Sequence, residues 1–101
     1  MKLWWLSFAD PDRPAGSQFL GVCIVFGADL KDAIVRSHMA KCNPGGSIKS
    51  VELPDDVARR VPKNRMDTLL SKREILLLGQ RMSLDIYQPG GLLSPPKKIE
   101  S

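Results

Sequence analysis

His38 is the sole histidine among 101 residues, and Cys42 follows it at the i, i+4 spacing that stacks two side chains on one helix face. Imidazole and thiolate are both zinc donors, so the pair is a candidate for half of a metal site. A structural zinc site takes four donors, and Cys23 is the one further strong donor in the chain. Asp and Glu could complete a set, but their spacing shows no ligand pattern. The plainer reading is a half-buried histidine beside the apolar helical stripe of Leu30 and Ile34. The same groups make a weak case for nucleophilic catalysis. Cys23 sits in an apolar run, where a thiol is inert, and Cys42 falls near a helix C-terminus, whose negative end raises a thiol pKa. There is no Gly-x-Ser-x-Gly elbow and no second histidine to act as a base. Asp10/Asp12 and Asp55/Asp56 read as turn and cap residues rather than acid–base partners. The expectation is a protein that is not an enzyme, with no catalytic, metal or cofactor residue.

Two other motifs bear on binding. Asn43-Pro44-Gly45-Gly46 has the glycines of a phosphate cradle, but they follow a helix and precede a strand, so the helix dipole there repels an anion. A helix-ending turn is the better reading. Between Ala58 and Arg73 stand Arg59, Arg60, Lys63, Arg65, Lys72 and Arg73, against Asp67 alone. On one face these six would attract phosphates or an acidic protein surface, and they are the candidate partner-binding residues. Against that, Asp55, Asp56 and Glu74 lie close enough in sequence to make the segment a partly neutralised, solvated surface. No RNA-recognition aromatic pattern, helix-turn-helix or zinc finger accompanies the cluster.

These groups must be held by a small scaffold. The chain has length for one domain, and 43% apolar with 26% charged residues is a globular composition. Net charge is +4, too mild an excess to imply nucleic acid without clustering. No apolar run approaches the roughly 20 residues that span a bilayer. Met1 to Asp10 begins like an exported segment but meets charge early, and no small-residue cleavage site follows, so a cytoplasmic protein with no membrane association is expected. Two cysteines are no disulfide framework for this length, and thiols in a reducing compartment are expected.

Residues 2–9 carry large apolar side chains on both parities, Leu3 and Trp5 on one and Trp4, Leu6 and Phe8 on the other, which predicts a central strand covered on both sides. Trp4 and Trp5 then face opposite ways, one into a core and the other a core residue or a binding anchor. Asp10 to Ser17, stiffened by Pro11 and Pro14, is a loop leading to a second strand at Gln18–Phe26, paired as a hairpin. Asp29 caps a helix that Asn43 to Gly46 ends, and Ser47–Leu53 is a third strand reached by a crossover. Residues 54–61 suit one or two helical turns stopped by Pro62. Ser71-Lys72-Arg73-Glu74 is a capping box that opens a short helix running into Gly79. Residues 81–87 alternate as an edge strand or extended arm, and residues 89–101, rich in proline and glycine, are expected to be a mobile tail without regular structure.

Trp4-Trp5-Leu6-Ser7-Phe8-Ala9-Asp10, Gly21-Val22, and Cys42-Asn43-Pro44-Gly45-Gly46 together resemble a group of short uncharacterised bacterial proteins, over about residues 3 to 78. That resemblance implies no activity and carries no functional residue. The expected fold is a small α+β domain over residues 1–88: an antiparallel three-stranded sheet in the order two-one-three, one main helix packed on it, and short C-terminal helices. The expected function is a non-enzymatic, adaptor- or inhibitor-like module that binds another protein. A homodimer through an exposed edge strand accompanies that expectation. The alternative is a nucleic-acid-associated protein using the 59–73 cluster.

Overall fold

A computed structural model describes residues 2–14, 16–82, 84–87 and 93–98 of the chain. Strand β1 (Lys2–Ala9) lies inside the sheet, with β2 (Phe19–Gly27) and β3 (Ser47–Glu52) antiparallel on either side of it. Trp5 stands between Ile24 and Val51, and Leu6 between Cys23 and Ser50. The pleat sends alternate residues to opposite faces, so each face of β1 demands its own apolar layer. Leu3, Trp5, Val22 and Ile24 join Leu53, Val57, Val61, Leu70, Ile75 and Leu78 in one core; Leu6, Phe8, Cys23 and Val25 join Ala33 and Cys42 in the other. The tryptophans divide as expected. Trp5 is 1% exposed in the first core, while half-buried Trp4 packs on the second and donates its indole N–H to the Gly27 carbonyl at 3.1 Å.

Helix α1 (Leu30–Met39) covers the second core and starts where expected. The Asp29 carboxylate accepts the Asp32 N–H at 2.8 Å, and the Asp32 carboxylate accepts the Ala28 N–H at 2.9 Å and Arg36 at 3.0 Å. The Ala28 hydrogen bond, aided by Arg36, holds the Asp32 carboxyl below its usual range. The turn after the helix is tied by Asn43, which donates to Ser37 Oγ at 3.0 Å and accepts the Gly45 N–H at 2.8 Å. Gly46 has φ +82°, and a Cβ there would run into the Ala9 carbonyl, so only glycine lets β3 return this close to the end of β1.

The sheet has four strands, in the order β3-β1-β2-β4, where three were expected. The addition is β4 (Leu69–Leu70), two residues paired with Cys23 and Val22. Gly21 makes room for it: φ is +137°, and a Cβ would lie 2.7 Å from a Leu69 methyl and 2.8 Å from the Leu70 carbonyl. The cysteines are not the free thiols that were expected. Cys23 and Cys42 are 6.2 Å apart at Cα and are joined as a disulfide, so neither is a thiol. One residue comes from β2 and the other from the turn after α1, both facing the same core, which no spacing rule reveals.

The first core is closed by α2 (Asp55–Ala58) and α3 (Lys72–Met82). The capping box forms: Glu74 N–H donates to Ser71 Oγ at 3.2 Å and Ser71 N–H donates to the Glu74 carboxylate at 3.1 Å. The helix does not stop at Gly79, which is buried within it. Two further strands, β5 (Leu84–Tyr87) and β6 (Leu93–Lys98), form a separate antiparallel pair. Regular structure at Leu93–Lys98 departs from the expectation for residues 89–101, the rest of which lies outside the described residues. None of the described helices is long and apolar enough to cross a membrane.

Closing a loop of 19 residues removes conformations from the unfolded chain. By that loop-entropy relation the double variant Cys23→Ala/Cys42→Ala is expected to lose about 3 kcal/mol of unfolding free energy, measured as a lower urea midpoint.

Candidate functional site

The six cations expected to act together are distributed along a folded path. Arg59 is the C-cap of α2, its N–H bonded to the Asp55 carbonyl at 3.1 Å, and Arg60 N–H follows onto Val57 at 3.0 Å. Pro62 breaks the helix, and Lys63–Arg65 form a single 3-10 turn. Asp67 at φ +58° then swings the chain back, its N–H bonded to the Ile24 carbonyl at 3.0 Å, into β4 and the start of α3. Lys72 and Arg73 are exposed in the first turn of α3, an unfavourable end of the dipole for cations, which Glu74 offsets.

Arg65 is half-buried and paired on this path. Its guanidinium lies 3.4 Å from the Glu74 carboxylate, tying the 3-10 turn to α3. Glu74 is held below the usual carboxyl range first by the Ser71 N–H, then by the Ser71 hydroxyl, with Arg65 adding to both. Arg65 therefore serves the scaffold.

Arg59 and Lys63 stand instead on the wall of a surface cleft of about 550 Å³. Its apolar lining is Leu3, Phe26, Ala58, Val61 and Met66, and Asp55 adds one carboxylate to the rim. Leu3 and Val61 are buried, at 3% and 6% exposure, while Phe26 is 42% exposed. Arg60, Lys72 and Arg73 are exposed but are not among the cleft's described walls. Phe26 also borders a second depression of about 300 Å³, with Arg36, Met39, Ala40 and Asp67, where Met39 is 76% exposed.

Phe26 is the residue that sequence reasoning placed in a strand without seeing its use. Its parity matches Val22 and Ile24, which are fully buried. It differs because the α2 and 3-10 segments that come over this end of the sheet leave an open cleft beside it, which Phe26 lines with Leu3, Ala58, Val61 and Met66. A signal was present in Gly27-Ala28, which ends the strand one residue later.

The remaining candidates do not converge. His38 is exposed, and the Asn43 amide nitrogen lies 3.3 Å from its Nε2. The Cys42 sulfur that would have partnered it is bonded to Cys23. Among the described residues no three of His, Cys, Asp or Glu form a metal-holding group. The Asp10–Ser17 loop is fastened by its own bonds, with Gln18 donating to the Arg13 carbonyl at 2.9 Å and Asp10 N–H to the Gln18 carbonyl at 2.8 Å.

Comparison of the chain with protein-family models, with curated proteins and with solved structures returned no match.

A carboxyl held down in the folded state adds stability that is complete above its unfolded pKa and is lost as pH falls through the folded one. For Glu74 that loss is expected on the acid side, below pH about 4. In Glu74→Gln the difference in urea midpoint between neutral and acid pH is expected to be smaller than in the natural chain. An unchanged difference would remove Glu74 as its source.

Proposed function

We propose that this chain is a non-enzymatic binding module, adaptor- or inhibitor-like, which docks on another protein by taking an apolar side chain of the partner into the Phe26 cleft. The observation that carries the reading is the cleft itself: a part-exposed aromatic over a buried apolar floor, with Arg59 and Lys63 on the wall. Aromatic residues in desolvated pockets dominate the energetics of protein interfaces. Two cations against the single carboxylate of Asp55 favour a partner segment that carries an acidic residue beside its apolar anchor. The resemblance of residues 3 to 78 to short bacterial proteins goes with a bacterial module working in the cytoplasm. The Cys23–Cys42 bond, at 0% and 3% exposure, is shielded there from attack by thiolates, which need access to a sulfur.

The nucleic-acid reading draws less support. It needs the cations of residues 59–73 to present one surface, and Arg65 is instead paired with Glu74. The two readings differ in how salt acts. Contacts to several phosphates lose about 10³ to 10⁵ in affinity between about 50 and about 200 mM salt, whereas an apolar anchor with one or two rim charges loses far less.

The test is selection of peptides on the natural chain from a displayed random library, followed by titration of the selected peptide and of a DNA duplex. Peptides with an apolar residue next to Asp or Glu are expected. Phe26→Ala should weaken them by about tenfold or more, and the Arg59→Glu/Lys63→Glu pair by a similar factor. Binding of the duplex alone, with a steep fall in salt, would replace this reading by the nucleic-acid one. Selected peptides indifferent to both variants would remove the cleft from it.

A further inference from the structure

Strand β3 pairs with β1 on one side, and among the described residues nothing pairs with its other side. The direction of its open groups follows from one bond. Leu53 N–H donates to the Leu3 carbonyl at 2.9 Å, continuing the register that sets Trp4 opposite Glu52. In an antiparallel ladder, pairs that exchange hydrogen bonds alternate with pairs that do not. Ser47, Lys49, Val51 and Leu53 therefore turn their backbone groups toward β1, while Ile48, Ser50 and Glu52 turn theirs outward.

We infer that this edge joins two copies of the chain, antiparallel, with Ser50 opposite Ser50 of the second copy. Outward groups meet outward groups only when even-numbered residues oppose each other, and three registers do this near the strand's centre. Centring on Lys49 sets two ammonium groups opposite one another and brings Glu52 against Gly46 of the second copy, whose φ of +82° takes it out of the strand. Centring on Val51 sets Ile48 against Pro54 of the second copy, which has no N–H to give. Centring on Ser50 pairs Ile48 with Glu52 and Ser50 with itself, so every outward N–H and C=O of those residues is satisfied on both copies.

Charge agrees with that register. Lys49 comes opposite Val51 and Glu52 opposite Ile48, so neither meets its own kind directly. Glu52 is also held by Lys2 at 2.9 Å, which the Glu52 hydrogen bond and charge make harder to deprotonate. Ile48 and Val51 are each half-buried, one against each core, and a neighbouring strand would cover their open sides on both faces at once.

The experiment is sedimentation of the full chain over a concentration series. The mass should rise from 11.2 kDa toward twice that value. Ser50→Pro removes an N–H that points away from β1, so it should keep the circular dichroism spectrum and stay at the single-chain mass. The register is read separately from new cysteines, since Cys23 and Cys42 are already joined. Ser50→Cys should form a covalent dimer on oxidation. Glu52→Cys should not, because its copies sit four residues apart along the strands, about 13 Å, beyond disulfide reach. A single-chain mass at every concentration would overturn the inference, as would a dimer that survives Ser50→Pro in folded protein, or cross-linking through Glu52→Cys as readily as through Ser50→Cys. Arg59→Glu/Lys63→Glu should leave the mass series unchanged, which keeps this result separate from that of the cleft.

Discussion

The four-stranded sheet and the helices packed on it answer to a strand with two greasy faces. Leu3 and Trp5 need one apolar layer and Leu6 and Phe8 another, and the pleat forbids a single layer from serving both. Helix α1 can lie on one face only, so the second half of the chain is drawn to the other. Val57, Val61, Leu70, Ile75 and Leu78 are its contribution, delivered by α2, the short β4 and α3. These elements are too short to be stable alone, and burial against β1 is what makes them persist. The disulfide does for the α1 face what those side chains do for the other, fastening the turn after the helix to β2.

Local chemistry was readable where a few neighbouring residues decide the outcome. Asp29 as a helix cap, Asn43 to Gly46 as the turn, and Ser71 with Glu74 as a capping box depend on bonds within four residues, and each is found where the residue types place it. The central position of residues 2–9 was readable for a related reason, since apolar residues on both parities leave a strand no wet side. Contacts made at a distance were not readable. Two leucines give no strand period, and β4 exists because Gly21 leaves room beside β2. Cys23 and Cys42 meet because the crossover brings the end of α1 back over the sheet, and Gly79 stays inside a helix because it is buried there.

The same distinction separates the candidate residues. Six cations within fifteen positions look like one surface in a linear chain. They are carried by α2, the 3-10 turn and the first turn of α3, with β4 between, so adjacency in sequence does not by itself set which of them share a face. Arg65 is used to hold the turn to α3, while Arg59 and Lys63 reach the cleft. Phe26 joins those two as a wall of the same cleft, a property set by segments distant in sequence rather than by its own neighbours in the chain. A site of this kind is assembled by one end of a sheet and the segments that cross it.

The sheet has two margins, and they differ in chemistry. At the β2 side β4 pairs with Val22 and Cys23 only, and past it Phe26 presents its side chain between the cleft and a depression that Met39 of α1 borders. At the β3 side the uncovered part presents backbone, which recognises another strand rather than a side chain. The cleft is walled from Phe26 across Leu3 of β1 to Asp55, three residues past the end of β3, so it opens at one end of the sheet, while the outward groups of Ile48, Ser50 and Glu52 lie along the free side of β3. With two copies joined at β3 the strand order would read 4-2-1-3-3-1-2-4, and the two clefts would lie toward opposite ends of one continuous sheet. A partner carrying two suitable segments could then be held at both, and the second contact would form at the effective concentration set by the first. Weak docking at a shallow cleft would in that way become durable without any change in the cleft itself.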